Sequence, residues 1–268
     1  MRQIAIPGTE LKCSRFAFGT ASLFNVGTAA ARQRLLSAAV ATGFTHFDTA
    51  PYYGFGSAER DLAPLLKANP SITVTTKVGL YAPGGEDQAS PSILIRKALG
   101  RVHASLSLPE VNFEVKRARL ALDSSLRRLG RQKVELYLLH EPELALLNTD
   151  EWLSWLQFER EQGRVGEFGL ALAIVRLEPF LSSASLLARV VQIPDSLDYR
   201  EADLLASDSR PIQITYGYIS AARSRGDRRP VELLLRSALA RNRTGCVIVS
   251  TRHIERLKQY AVIADDKL

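Results

Sequence analysis

The chain has 268 residues, 46% of them hydrophobic and 24% charged, with a formal net charge of +7. That balance is the one a globular protein uses to bury a sizeable core. The basic excess suits an anionic ligand or plain solubility. Lys and Arg are spread along the chain, densest in "RSRGDRRP" at 223–230, which argues against a nucleic-acid arm. There is no run of ~18 apolar residues to span a membrane. The opening "MRQIAIPGTELKC" lacks the apolar stretch of a signal peptide. The two cysteines, Cys13 and Cys246, have no metal-ligand spacing, so no metal site is expected. Reduced thiols and a cytoplasmic setting are.

The segment "QIAIPGTELKC" reads as a two-strand hairpin turning at Pro7-Gly8. From there short apolar runs alternate with helical patterns. A strand over 15–20 precedes a helix over 31–43, closed by Gly43. A strand over 45–49 precedes a helix over 57–67, with Ser57 as cap and Glu59 and Asp61 in its first turn. A β-branched strand over 72–77 is followed by a Pro-, Gly- and Ser-rich interruption, 79–112. The alternation resumes with a helix over 113–130 ending in Gly130, a strand over 134–140, and a helix over 149–163 capped by Thr149 or Asp150. Strands over 165–173, 189–194, 211–218 and 245–251 then alternate with helices over 177–188, 200–208, 230–241 and 254–264. Residues 219–229 read as a loop.

Eight strands, each followed by a helix, predict a parallel sheet closed into one (β/α)8 barrel, a TIM barrel over 1–268 with an N-terminal β-hairpin. An open doubly wound sheet would favour G-x-G-x-x-G after its first strand, whereas that turn reads "GTASLFNVGT". The hairpin is placed to plug the barrel floor.

Barrel chemistry sits at the C-terminal ends of the strands. The second, third and fourth strands end in Asp48, Lys77 and His140, and Tyr53 lies five residues past Asp48. A phenol near pKa 10 is a poor acid at neutral pH unless tuned, and a neighbouring cation lowers that value. Lys77 can be that cation, Asp48 can hold it charged, and His140 can bond a carbonyl oxygen beside the phenol. The set suits protonating an oxyanion as it forms, or deprotonating an alcohol in reverse. Each residue alone has a plain reading as turn, surface or strand-end residue. Their coincidence on three consecutive strands carries the argument. A barrel lysine can also form a Schiff base, against which Asp48 counts by keeping Lys77 protonated.

"FDTAPYYGFGSAE", "TTK" and "LYLLH" resemble three signature segments of the aldo-keto reductases, and the resemblance covers nearly the whole chain. It implies a catalytic tetrad at Asp48, Tyr53, Lys77 and His140. Tyr53 is selected over Tyr52 because the family's tyrosine precedes a glycine, here Gly54. It also implies NADP(H) extended across the mouth, NAD(H) being less expected, with hydride transfer to an aldehyde, ketone or sugar carbonyl and Tyr53 as acid. "FDTAPYYG" with "GSAER" is most similar to members that oxidise sugars. Ser250, Thr251, Arg252 and Arg256 match the site of the adenosine 2′-phosphate. A helix N-terminus and bidentate Arg suit such a phosphate independently. Gln192 matches the residue holding the nicotinamide carboxamide, and Tyr216 the aromatic stacking on its ring. Arginines in 219–229 fall near the expected pyrophosphate.

Four features depart from that pattern. Ala171-Leu172 stands where many members have Ser-Asn on the carboxamide. Tyr260 replaces an Asn near the adenine. No tail follows the last helix to roof the pocket. The long segment 79–112, with Arg96, Lys97, Arg101 and His103, is a candidate replacement for that roof. The alternative function is a non-catalytic NADP(H)-binding regulatory subunit or redox sensor. A small carbonyl or sugar substrate is the expected partner of a monomer or small homo-oligomer, without nucleic acid or membrane.

Overall fold

The computed structural model describes residues 1–88, 92–93, 95–96 and 108–266. Lys97, Arg101 and His103 lie outside the described residues. Eight parallel strands close into a barrel: β3 (Phe16–Gly19), β4 (His46–Asp48), β5 (Thr73–Val78), β8 (Val134–His140), β9 (Val165–Ala171), β10 (Val191–Pro194), β11 (Ile214–Tyr216) and β12 (Cys246–Val249), which pairs back with β3. Most of their residues are buried, as strands covered on both faces require, so they read as near-continuous apolar runs. An antiparallel ribbon, β1 (Gln3–Ala5) and β2 (Lys12–Ser14), precedes the barrel. Its Ile6, Leu11 and Cys13 pack with Ala17, Leu136, Leu138, Ile214 and Cys246 in the barrel interior, which makes the ribbon a plug on the floor. A second small ribbon, β6 (Leu80–Tyr81) with β7 (Glu110–Val111), stands at the two ends of the 79–112 interruption.

The helices on the outside are α1 (Ala29–Ala41), α2 (Ser57–Ala68), α3 (Val115–Leu129), α4 (Thr149–Glu161), α5 (Ile174–Ser182), α6 (Asp203–Ser207), α7 (Tyr218–Ser224), α8 (Val231–Arg241) and α9 (Ile254–Asp265). Gly130 ends α3 in the left-handed conformation, as its composition predicts. Several expectations need correction. The helix read over 177–188 is α5 followed by a separate 3-10 turn, Leu186–Arg189. The helix over 200–208 shrinks to five residues, and the strand over 211–218 to three. Residues 219–229 are not simply a loop: α7 occupies their first half, starting from left-handed Gly217.

Two caps also differ. Gly56, not Ser57, is the N-cap of α2, with φ +82°. A Cβ there would sit 1.8 Å from the Glu86 carbonyl oxygen, so no capping side chain fits. Asn148, rather than Thr149 or Asp150, caps α4 by accepting the Glu151 N–H.

Candidate active site at the barrel mouth

Asp48 ends a three-residue buried strand, and its carbonyl accepts from both the Thr20 N–H and the Thr20 hydroxyl. The chain then folds through successive tight turns. Tyr53 N–H donates to Ala50 O, Phe55 N–H to Tyr52 O and Ser57 N–H to Gly54 O. Gly54, Phe55 and Gly56 are all left-handed. Ala58 N–H, in the first turn of α2, donates to Tyr53 O at 3.3 Å, tying the tyrosine's backbone to the helix start. Asp48, Gly54 and Gly56 of "FDTAPYYGFGSAE" thus make one device, which returns a phenol over the strand end.

Lys77 reaches the same point from β5. Residues 73, 75 and 77 share the inner face of that strand by its two-residue period. The buried Nζ donates to both Asp48 carboxylate oxygens at 2.8 Å, to Thr49 O at 3.0 Å and to Tyr53 Oη at 3.3 Å. Burial pulls the ammonium's pKa down, but Asp48 and Tyr53 outweigh it and the net displacement is upward. Lys77 is therefore held as a cation, which removes the free amine a Schiff base needs. Burial pushes the Tyr53 phenol up, and Lys77 offsets only part of that rise. The expected sign of the lysine's influence holds, yet in the free protein burial is the larger effect.

His140 ends β8 with its ring edge-on to Tyr53, at 6.0 Å between centroids and 87° between planes. Burial, with Lys77 adding to it, lowers its pKa to about 3, so the imidazole is neutral at neutral pH. The four residues surround a cavity of about 220 Å³ that is also lined by Gly19, Ala171, Gln192, Tyr216, Ser220 and Ser250. Gln192 is buried, and its Oε1 has no hydrogen-bond partner among the described residues. A buried amide oxygen left open is costly, and an N–H group of a bound molecule would satisfy it.

A second hollow shares Gly217, Ser220, Ile248, Val249 and Ser250 with the first and continues to Arg256 and Tyr260. The mouth is therefore a groove running from the four clustered residues to the start of α9. Ser250 is exposed in it. Thr251 is buried, its hydroxyl accepting the His253 N–H. No side chain caps α9, and neither Arg252 nor Arg256, both exposed, has an acidic partner among the described residues. Buried Tyr260 lines the same hollow as Arg256, so Tyr260 supports the basic end of the groove from below. Ala171 presents a methyl group to the cavity, and Leu172 turns into the outer core.

Three of the four arginines of 219–229 are engaged locally. Arg223 donates to Asp227 O and Arg229 O, Arg225 pairs with Asp198, and Arg229 pairs with Asp227. The expectation that they face a pyrophosphate has no support in these contacts. Of the 79–112 segment, Ile93 is buried against Phe24, Phe55 and Ala82, beside the Tyr53 loop. Ser220 has no signal in the sequence, because residues 219–229 read there as a loop. Gly19 gives none either, its part being only to leave room in the cavity, whereas Ala171 lines the cavity where the sequence placed it. No group of three metal-ligating side chains occurs among the described residues, and no helix among them is long and apolar enough to cross a membrane.

A family model described as the aldo/keto reductase family matches residues 15–177. A 6-dehydroglucose reductase of Agrobacterium fabrum is 27% identical over 180 residues, covering 64% of this chain and 54% of that protein. A D-threo-aldose 1-dehydrogenase of a Pseudomonas species is 35% identical over 112 residues, covering 41% and 33%. The matched part thus spans about half of the first relative and a third of the second. Among solved structures, an aldo-keto reductase of Bacillus halodurans in its holo form superposes with a TM-score of 0.76 at 19% identity, covering 100% of this chain and 92% of that one. At that identity the likeness speaks for the fold.

Proposed function

The chain belongs to the aldo/keto reductase family, and from that premise we propose that it is an NADP(H)-dependent oxidoreductase acting on a sugar or other small carbonyl compound, with Tyr53 as general acid and base. One observation carries the reading. A buried ammonium, Lys77, touches both oxygens of Asp48 and the hydroxyl of Tyr53 at once, beside a neutral imidazole, in a cavity open to the groove. The sugar assignment is supported by the relatives named as a dehydroglucose reductase and an aldose dehydrogenase.

The nicotinamide, when bound, supplies or receives the hydride. The protein's own residues handle the proton. In reduction, Tyr53 gives its hydroxyl proton to the carbonyl oxygen as negative charge develops there. Lys77 stabilises the phenolate left behind, and Asp48 keeps Lys77 charged and aimed. Neutral His140 orients the same oxygen by hydrogen bonding. In oxidation, the Tyr53 phenolate takes the alcohol proton. Gln192 would hold the carboxamide through its open Oε1, and Tyr216 would flank the ring. Ser250, Thr251, Arg252 and Arg256, at the start of α9, would take the 2′-phosphate. The unit acts over residues 1–268, as a monomer or small homo-oligomer in the reducing cytoplasm, consistent with Cys13 and Cys246 both being free.

The test is a calorimetric titration with NADPH and, in parallel, NADH, followed by a screen of aldoses and simple aldehydes. Tight NADPH binding with weaker NADH and measurable turnover is expected. Comparable affinities would discard the phosphate assignment and keep the oxidoreductase. Tight binding with no turnover would favour the regulatory-subunit reading, for which the missing Ser-Asn pair at Ala171-Leu172 is the one specific observation.

A further inference from the structure

His140 has an unusual problem of support. Its Nδ1 is buried with no hydrogen-bond partner among the described residues, and its neighbour Tyr53 meets it only edge-on. A catalytic imidazole is ordinarily oriented by a bond to its second nitrogen. Here the orientation must come from the backbone that carries it.

That backbone turns abruptly at the next residue. Glu141 has φ +54°, a left-handed conformation that a side-chain-bearing residue keeps only where its surroundings enforce it. Three of its polar groups are engaged. Its N–H donates to Ala171 O at 2.7 Å. Its carboxylate Oε2 accepts the Ala173 N–H at 3.0 Å. Its carbonyl accepts from Arg176 Nη1 at 2.5 Å. The same Nη1 lies 3.8 Å from Glu141 Oε2, and Nη2 lies 3.2 Å from Glu143. Ala171 is the β9 residue paired with His140, and Arg176 rides on α5. The brace therefore ties the end of β8 to the end of β9 and to the helix that follows. Pro142 then prevents the chain from continuing as a regular helix.

We propose that Glu141, locked by Arg176, is the positioning residue that aims the His140 imidazole into the cavity. The proposal rests on the reading of His140 as part of the active site. Neither residue contacts the reacting atoms. Each acts through the turn after β8.

The test uses the full chain, labelled at histidine, with NADPH and 4-nitrobenzaldehyde as the turnover probe. The His140 ring signals are identified by their loss in His140→Asn. In Glu141→Ala those signals move or broaden, and kcat falls about tenfold or more, since small misplacements of a catalytic group are costly. The NADPH dissociation constant stays within about twofold, because the brace lies apart from the basic end of the groove. Glu141→Gln keeps an amide oxygen for the Ala173 N–H and retains ring signals and kcat near the parent's. Arg176→Ala follows Glu141→Ala in direction, and the double variant is no worse than the more damaging single one. If Glu141→Ala does not fold, Arg176→Ala decides. Ring signals unmoved in the folded variants overturn the proposal, as does a Glu141→Gln as damaged as Glu141→Ala. A parent protein that binds NADPH without turnover would count against the oxidoreductase reading alone, and the ring signals would still decide the brace.

Discussion

Tyr53 and Lys77 depend on each other across two strands, and their substitutions should separate chemistry from binding. Tyr53→Phe removes the proton that the developing alkoxide needs but leaves the ring in place. It should lower kcat by about 10²–10⁴-fold with NADPH affinity preserved, and stopped-flow single turnovers would read this directly. Most of the parent kcat surviving would remove Tyr53 from its role. Lys77→Met should do comparable damage by another route. Burial already raises the phenol, and Lys77 is the group that offsets it, so without the cation the acid weakens further. One layer below, His46 shows how burial and bonding together settle a tautomer. The Thr73 hydroxyl donates to Thr45 O, so His46 Nδ1 donates to Thr73, while Nε2 meets the Thr75 hydroxyl. Burial, with the Lys77 charge adding to it, lowers the ring's pKa to about 3, so the imidazole is neutral and its unprotonated Nε2 accepts from Thr75.

Elements impose their own limits. In β9, a Cβ added at Gly169 would lie 1.9 Å from Val190 O, the carbonyl that accepts the Leu170 N–H. Gly169→Ala must therefore push β10 away from β9. A loss of about 1–3 kcal/mol is expected from overpacking, measured by urea denaturation, with NADPH affinity falling too because Gln192 sits on β10. At α9, the exposed Arg256 lies one turn into a helix whose first N–H groups lack a side-chain cap. Arg256→Ala should weaken NADPH at least tenfold and NADH less than twofold, because only the former carries the phosphate that a guanidinium can pair. Equal losses for both cofactors would sink the assignment.

At the scale of the whole molecule, acid should unfold the protein through its interior. His46 and His140 are both buried neutral, with pKa values of about 3 against 6.5 for the free side chain. The unfolded chain binds protons at these positions from pH 6.5 downward and the folded one does not. The stability they confer is complete above that value and is lost as pH falls towards 3. Each should contribute a slope of about 1 kcal/mol per pH unit between pH 6 and 5. Replacing His46 with Asn should remove its share of the slope in urea denaturation curves, at some cost in absolute stability from the threonine bonds. An undiminished slope would mean that His46 is not protonated on unfolding alone.

Much of this molecule was legible along the chain because its signals are local. Eight apolar runs alternating with amphipathic stretches dictate a parallel barrel, and Gly130 marks a helix end by its own conformational freedom. Asp48, Lys77 and His140 stand where strands stop. Whether these three meet depends on register, which puts 48, 75 and 77 on one inner face, and on barrel closure. Sequence alone could not supply either. Short elements escaped for the opposite reason. α7 has seven residues, too few to show a helical period, and it exists because the barrel wall gives it something to pack against; α6, read over 200–208, keeps only five residues. Gly56 displaced Ser57 as a cap because of a carbonyl 30 residues away in the chain, that of Glu86. Glu141 gave no signal at all, since its bonds to Ala171, Ala173 and Arg176 appear only once β8 and β9 lie side by side. The sequence by itself determined the kinds of groups and the period of the elements, because both follow from side-chain chemistry and local backbone preference. The tertiary structure decided pKa, burial and aim, because those are set by neighbours that the chain brings together from far apart.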